Sequence, residues 1–310
     1  MILALAACVG NVARIDEDIG RIGFDGEYAV GSTFRVEVTG WGDAEEVSLI
    51  SLDPDVIEVD ELRAGPLGSS MWATARTLNP GVTELALFGD GFAMRTEEVA
   101  VHMPDAVLLH HSHAVEMGLE PVEAVLMEGG RARYQVLLEL DGDALAGGNE
   151  LEATSTDMDV SVEVLDELLW LTLEPHDTGG MDLALLLAGD RLPGVDVTVV
   201  EALDALDSHE QEGDIWLVGL DDQDREVHGL QATWDLPEGD EVGDRVQFQS
   251  GGSEVHALVA EADGLVFERL VQGSAFHMSE SVEGCSTAPA SWTWLCLLTL
   301  VRTRRGKRDG

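Results

Sequence analysis

The stretch Gly31-Ser32-Thr33-Phe34-Arg35-Val36-Glu37-Val38 decides the fold, because an apolar residue stands at every second position from Phe34 onward. Successive side chains of a β-strand point to opposite faces, so Phe34, Val36 and Val38 would share one face. Such a strand buries one face and exposes the other. The same alternation recurs along the chain at 56–59, 97–101, 159–164, 194–200 and 255–259.

Clusters of Asp, Asn, Gly and Pro separate these strands, at 53–55, 79–81, 89–91, 141–143 and 238–240. Short strands with a turn roughly every 8–12 residues are typical of β-sandwiches. We therefore predict an all-β fold of tandem immunoglobulin-like β-sandwiches, followed by a short C-terminal hydrophobic helix. Elsewhere the Leu-rich segment 181–188 is a helical candidate, and 164–171 fits either a helix or a strand.

The domain organisation is predicted from length and from a weak internal period. Val101 and Val199 close two similar segments, and this spacing of about 98 residues is the length of one sandwich. We expect junctions near 103–105 and 202–212. The predicted units are a truncated signal peptide or lipobox (1–11), an immunoglobulin-like sandwich (12–104), a second sandwich (105–202), a third, weaker one (203–280) and a sorting or anchor segment (281–310).

The first of these units resembles the bacterial immunoglobulin-like domains of surface proteins. The resemblance rests on the opening stretch and on the segments 51–59, 73–75, 80–85 and 99–101. The family usually carries an aromatic residue shortly before the Ser-x-Asp-Pro element, whereas here Val47 and Leu49 occupy that strand. The resemblance implies a sandwich fold and a place at the cell surface.

The charge balance excludes several partners. The chain has 17 basic and 60 acidic residues, and the part before Arg302 has 12 and 59, a net charge of −47. A surface of this charge repels nucleic acid and anionic membranes. Since 45% of the residues are hydrophobic, the chain is not of the disordered class. We expect an acidic globular ectodomain.

The three cysteines lie outside the predicted sandwiches, at Cys8, Cys285 and Cys296. An exported body without disulfides depends on its hydrophobic cores for stability. Residues 5–8, Leu-Ala-Ala-Cys, resemble a bacterial lipobox, in which the Cys would be acylated after cleavage. Seven residues precede Cys8, fewer than a secretory signal needs, so the start is read either as a truncated signal or as an ordinary apolar N-terminus.

The C-terminal segment combines a cysteine, an apolar run at 288–301 and a basic cluster. This arrangement resembles the Cys-containing C-terminal sorting signals of myxobacterial surface proteins, in which the cysteine is the processing or lipidation point; by position it is Cys285 here. The basic end would stay cytoplasmic while the preceding chain is exported. A membrane anchor or a buried terminal helix is the alternative. The anchor residues are Trp292, Trp294, Leu295, Leu297, Leu298, Arg302, Arg304 and Arg305.

Two groups of residues are candidate metal ligands. His111 and His113, in a dense group with His110 and Glu116, would share one strand face and could chelate a metal. The alternative is a polar surface near a domain junction. The second group comprises turn carboxylates with the hard oxygen ligands that Ca²⁺ prefers, although neither turn has the spacing of a Ca²⁺ loop. The alternative is solvated turns. The carboxylates are Asp221, Asp222 and Asp224 in one turn and Asp141 and Asp143 in another.

The sequence lacks the common catalytic signatures of hydrolases, zinc peptidases and nucleotide-binding enzymes. Aromatic residues make up 5% of the chain, which argues against a sugar-binding groove, and we expect Trp41, Trp72, Trp170, Trp216 and Trp234 in sandwich cores. We therefore favour a non-catalytic, surface-anchored protein that serves as a structural, stalk or adhesive component, without a cofactor apart from a candidate Ca²⁺.

Its partners would be the cell envelope, reached through the C-terminal tail, and a sorting peptidase or lipidation machinery. The expected location is the outer membrane or cell surface of a Gram-negative bacterium. The alternative is an exported enzyme or accessory subunit, with the histidine group as its site.

Overall fold

A computed structural model describes residues 21–23, 27–65, 70–112, 115, 120–165, 168–211, 213–236, 239–248, 255–272 and 276–278. The described chain folds as packed β-sheets, in agreement with the all-β prediction. The predicted signal segment and the predicted C-terminal helix lie outside these residues.

The first sandwich has the strand order of an immunoglobulin fold. Its strands are β1 (Arg21–Gly23), β2 (Glu27–Ala29), β3 (Thr33–Thr39), β4 (Val47–Ser51), β5 (Ile57–Val59), β6 (Arg63–Ala64), β7 (Ser70–Thr77), β8 (Gly81–Gly89) and β9 (Phe92–His102). One sheet runs β1-β3-β7-β5 and the other β2-β9-β8-β4. These orders correspond to the A-B-E-D and G-F-C sheets, with β2 added in parallel to β9.

The opening stretch forms β3 as predicted. Phe34, Val36 and Val38 are buried, while Thr33 and Arg35 are exposed. The inward residues pack on those of β8 and β9, for example Leu85 and Val99, and form one hydrophobic core. Burying alternate residues of two facing sheets explains why this part of the chain needs no helix.

The second sandwich repeats this order. Its strands are β10 (Ala106–His111), β11 (Ala124–Met127), β12 (Ala132–Leu140), β13 (Asp143–Leu145), β14 (Leu151–Thr154), β15 (Met158–Leu165), β16 (Leu168–Pro175), β17 (Gly179–Met181), β18 (Ala184–Leu187), β19 (Asp190–Arg191) and β20 (Val197–Val200). One sheet runs β10-β12-β16-β15. The opposite layer is formed by β11-β20-β17 and β14-β18-β19, with β11 parallel to β20.

The helical prediction for 181–188 is wrong. The segment contributes to β17 and forms β18, and Leu183, Leu185 and Leu187 are all buried. Their spacing of two residues places them on one face of a strand. The adjacent leucines made the segment look helical, but alternation with the partly buried Ala184 and Leu186 decides the structure. The ambiguous segment 164–171 contributes to β15 and β16, which are strands.

The third sandwich has a different strand order. Its strands are β21 (Ala205–Gln211), β22 (Asp214–Leu220), β23 (Glu226–Val227), β24 (Thr233–Leu236), β25 (Gly239–Val242), β26 (Arg245–Phe248), β27 (Val255–Ala262), β28 (Leu265–Gln272) and β29 (Phe276–Met278). The sheets run β21-β22-β26-β29 and β25-β24-β27-β28. In immunoglobulin lettering these are A-B-E and C′-C-F-G, and β29 takes the place beside E that strand D has in the other two.

The hydrophobic cores overlap between consecutive sandwiches. Ala29 belongs to the core of the second sandwich, although it ends a strand of the first. Val125 belongs to the core of the third, although it lies in β11. The predicted domain boundaries stay predictions. The shared residues lie where consecutive sandwiches pack against each other, at two junctions.

Candidate functional site: two interlocked junctions

The first junction begins with main-chain hydrogen bonds between β2 and the segment after β13. Ala29 donates its N–H to the carbonyl of Ala146 at 3.0 Å, and Ala146 donates to the carbonyl of Glu27 at 3.2 Å. Tyr28 and Ala146 form a parallel bridge. Since β2 also pairs with β9, one short strand joins the two sandwiches.

The buried hydroxyl of Ser32 fastens this junction. Its Oγ donates to the carbonyl of Ala29 at 2.6 Å, and the carbonyl of Ala146 lies within hydrogen-bond distance of the same Oγ, at 3.1 Å. The Oγ also accepts a hydrogen bond from the N–H of Gly148 at 2.7 Å. Thr77 supports the arrangement, because its Oγ1 accepts the Ser32 N–H at 2.8 Å and donates to the Ala29 carbonyl at 2.8 Å. Ser32 and Thr77 are 0% and 1% exposed, so breaking these bonds would leave buried polar groups without partners.

Glycines allow the close approach. A Cβ on Gly147 would lie 2.5 Å from the Cβ of Ser32, and closer still to its Oγ. Gly147 has φ of +84°, and Gly31, on the facing side, has φ of +70° and would place a Cβ 2.9 Å from that of Glu150. Both positions therefore combine a left-handed backbone with steric exclusion of a side chain.

The second junction, between the second and third sandwiches, has the same kind of main-chain hydrogen bonding as the first. His228 donates its N–H to the carbonyl of Val125 at 2.8 Å, and its carbonyl accepts the N–H of Met127 at 3.0 Å. Leu126 and His228 form a parallel bridge. The edge strand β11 thus pairs with β20 on one side and with the third sandwich on the other.

Three buried rings pack at this junction. The imidazoles of His111 and His228 are stacked, with centroids 4.1 Å apart and planes 7° apart. The hydroxyl of Tyr134 lies 3.0 Å from Nδ1 of His228. Burial raises the pKa of Tyr134, so its hydroxyl stays neutral and available for hydrogen bonding. His111 and His228 are 3% and 2% exposed, which makes them part of the packed interior.

The junctions lie toward opposite ends of β12. Tyr134 stands near its start, opposite His111, and Leu138 lies nearer its end, opposite Leu145, the residue before Ala146. The four residues from Tyr134 to Leu138 span about 13 Å at about 3.3 Å per residue. Strand β10, which follows the first sandwich, also begins at this end, with Ala106 opposite Glu139. The first and third sandwiches are therefore attached toward opposite ends of the second.

The histidine group differs from the geometry expected of a chelating pair. Strand β10 ends at His111, and Ser112 is helical, so the strand alternation assumed for His111 and His113 stops at His111. His111 is buried rather than part of a polar surface. For His110, burial lowers the pKa. His113 and Glu116 lie outside the described residues, and the metal prediction for this segment stays a prediction.

The acidic turn of the third sandwich is organised by Arg225. Asp221 is 3% exposed, and its carboxylate accepts the backbone N–H groups of Gln223 and Arg225 and the Arg225 Nε at 2.8–2.9 Å. Burial alone would raise the pKa of Asp221, but these hydrogen bonds and the guanidinium lower it below the ordinary value. Arg225 also reaches Glu123 of the second sandwich at 3.5 Å.

The other predicted calcium ligands are exposed and not clustered. Asp222 and Asp224 are exposed beside Asp221, and Asp141 and Asp143 are exposed at the turn between β12 and β13. Within the ranges that the structure describes, no group of three or more His, Cys, Asp or Glu side chains could hold a metal ion. Calcium binding stays a prediction.

The tryptophans agree in part with the expectation that they lie in sandwich cores. Trp234 is a core residue, and Trp170 and Trp216 are buried as well. These two and the half-buried Trp72 nevertheless lie on the strand face opposite the core clusters, each beneath an arginine. The guanidinium-to-ring distances are 5.0 Å for Arg35 over Trp72, 4.6 Å for Arg133 over Trp170 and 4.5 Å for Arg245 over Trp216. The strand pattern could have revealed them, because each tryptophan occupies an outward position between buried residues. Trp41 packs, partly buried, against the first core.

The predicted lipidation and anchor residues, Cys8, Cys285 and those from Trp292 to Arg305, lie outside the described residues. In the described part of the chain, no helix has the length and apolarity required to cross a membrane.

Comparison with known proteins gives structural likeness only. No protein-family model and no curated protein matches the sequence. Among solved structures, the chain is similar to domains 5-6 of the S-layer protein SbsC, with TM-score 0.27 and 16% identity over 60% of this chain and 98% of that one.

Two adhesins are also similar. For FdeC of Escherichia coli the TM-score is 0.27 and the identity 13%, over 85% of this chain and 99% of that one. For invasin, a bacterial integrin-binding protein, the TM-score is 0.26 and the identity 13%, over 82% of this chain and 59% of that one. The fold assignment rests on the strand orders described above.

Proposed function

We propose that this protein is a non-catalytic, exported component of a bacterial cell envelope, in which interlocked sandwiches hold a distal end at a fixed distance and orientation from the surface. The observation that carries the proposal is the pair of junctions toward opposite ends of the second sandwich. A spacer requires that its units resist bending, and each junction combines main-chain pairing with buried side chains.

The buried polar contacts explain why bending would be costly. Rotating the first sandwich away from the second would break the contacts of Ser32 Oγ with the Ala146 carbonyl and the Gly148 N–H, and each buried group left unsatisfied costs about 1–3 kcal/mol. At the second junction, rotating the third sandwich away from the second would unstack His111 from His228 and remove two main-chain hydrogen bonds. The strongly acidic surface keeps such a protein soluble and opposes nonspecific association.

The attachment to the envelope is assigned to the C-terminal segment, with Cys285 as the processed or lipidated residue and the basic cluster as the cytoplasmic stop. The proposed location is the outer membrane or the cell surface of a Gram-negative bacterium. The partners in this step are a sorting peptidase or lipidation enzymes.

The experiment compares surface labelling of intact cells that produce the wild-type protein, Cys285→Ala or Cys296→Ala. Both cysteines lie in the C-terminal segment, but only Cys285 precedes the apolar run. We expect Cys285→Ala to lose surface labelling and lipid-dependent mass, and Cys296→Ala to retain both. Undiminished surface display of Cys285→Ala would contradict the assigned attachment.

A further inference from the structure

One face of the third sandwich carries exposed apolar side chains. Val255, Val266 and Leu270 are 63%, 66% and 70% exposed, and they lie on the adjacent strands β27 and β28. Val242, at 61%, lies on β25 of the same sheet. Exposed apolar residues gathered on one sheet face mark a surface that binds another molecule.

Strand β28 is an edge strand of eight residues. Among the described residues, the strand that pairs with β28 is β27, on one side. Strand β21 of the facing sheet lies near β28 and accepts a hydrogen bond from Arg269 at Ser208, but this contact is made by side chains and leaves the β28 main chain unpaired on that side among the described residues. A long, regular edge presents unpaired backbone groups to a further strand.

The hairpin turn shows which backbone groups are unpaired. Asp263 and Gly264 join β27 to β28 in a two-residue turn with φ of +49° and +72°. In such a hairpin the flanking pair, Ala262 and Leu265, exchanges hydrogen bonds, and the following pairs alternate. The N–H and C=O groups of Val266, Glu268 and Leu270 therefore face the free edge.

This edge is self-complementary. Suppose that a second copy of β28 runs antiparallel to the first, with Glu268 on the two-fold axis. Val266 then lies opposite Leu270 of the second copy, and Leu270 lies opposite Val266 of the second copy. The three outward residues then supply six main-chain hydrogen bonds, and both apolar pairs fall on one face of the extended sheet. A register centred on Arg269 would instead place two guanidinium groups opposite each other.

We propose that the protein forms a dimer by pairing two β28 strands in this register, which joins two four-stranded sheets into one. The proposal is independent of the attachment through the C-terminal segment. Directly opposed Glu268 carboxylates and the overall negative charge weaken the dimer, so it strengthens with salt. Because like charges opposite each other are destabilising, Glu268→Gln should tighten it about two- to fivefold.

The test is sedimentation velocity of the full chain over a concentration series at about 0.5 M salt, where surface repulsion is screened. We expect a dimer for the wild type. For Leu270→Lys or Val266→Glu, which place a charge opposite an apolar residue, the dissociation constant of the dimer should rise about tenfold or more. The matched control is Val82→Lys, an exposed valine in the first sandwich, and should match the wild type.

The register is tested by combining the two changes. In Val266→Glu with Leu270→Lys, each new carboxylate lies opposite a new ammonium of the second copy, so the double variant should dimerise more tightly than either single variant. The proposal is overturned if the wild type stays monomeric at every concentration, if Leu270→Lys associates as the wild type does, or if the double variant shows no recovery.

Discussion

Replacing Gly147 with alanine tests how much the first junction contributes to stability. The new Cβ would lie 2.5 Å from the Ser32 Cβ, and ordinary contact begins at 3.4 Å, so the two must separate by about 0.9 Å. That shift would lengthen the 2.7 Å bond from the Gly148 N–H to Ser32 Oγ to about 3.6 Å, too long for a hydrogen bond. The unpaired buried donor then costs about 1–3 kcal/mol.

The matched control is Gly142→Ala. Gly142 has φ of +87°, nearly that of Gly147, but nothing lies within 4 Å of its added Cβ. A left-handed alanine therefore destabilises both variants by about 1–2 kcal/mol. Gly147→Ala loses in addition the hydrogen bond between Gly148 and Ser32.

The assay is urea unfolding of the full chain followed by tryptophan fluorescence, with thermal unfolding in parallel. At about 2–4 °C per kcal/mol for about 200 coupled residues, Gly147→Ala should melt about 2–12 °C below Gly142→Ala. If the two variants lose the same stability, the Ser32 contact does not hold the sandwiches together, and the reasoning is refuted.

Three further predictions concern the second junction and the sheet surfaces. Gly229→Ala should destabilise the protein by about 1–3 kcal/mol more than Gly129→Ala in urea unfolding, because both have positive φ but only the first meets backbone atoms, at 2.9–3.2 Å. The hydrogen bond that His209 donates to the Glu226 carboxylate raises the pKa of His209, so the stabilisation it contributes is complete below about pH 6.5 and is lost as pH rises through the raised pKa. The unfolding free energy of the wild type minus that of His209→Gln should therefore be larger at about pH 6 than at about pH 8.5, and a constant difference would contradict this. Arg133→Ala should cost about 1 kcal/mol and shift Trp170 emission to longer wavelength, and unchanged emission would show that the guanidinium does not shield the ring.

The strands could be predicted from the sequence because burial in a sandwich follows local alternation. Phe34, Val36 and Val38 show their common face within five residues. The segment around Leu185 and Leu187 was not recognised as a strand, because a run of neighbouring leucines also fits a helix. Its pairing with Leu151–Thr154 in the second sandwich decides in favour of a strand.

The junctions could not be predicted from the sequence, because their partners are distant along the chain. Ser32 and Gly148 are separated by 116 residues, and Tyr134 and His228 by 94. No local pattern specifies which turn of one sandwich meets which strand of the next. Of the histidine group near 110, His111 is buried and packs at the second junction, and the metal prediction for this segment stays a prediction.

The most direct test of the central claim, that the junctions hold the sandwiches in fixed orientations, is a set of backbone N–H residual dipolar couplings measured on the full chain. If the junctions are interlocked, one alignment tensor will fit the amides of all three sandwiches together. Three tensors that differ in magnitude and direction would show independent reorientation and would contradict the account.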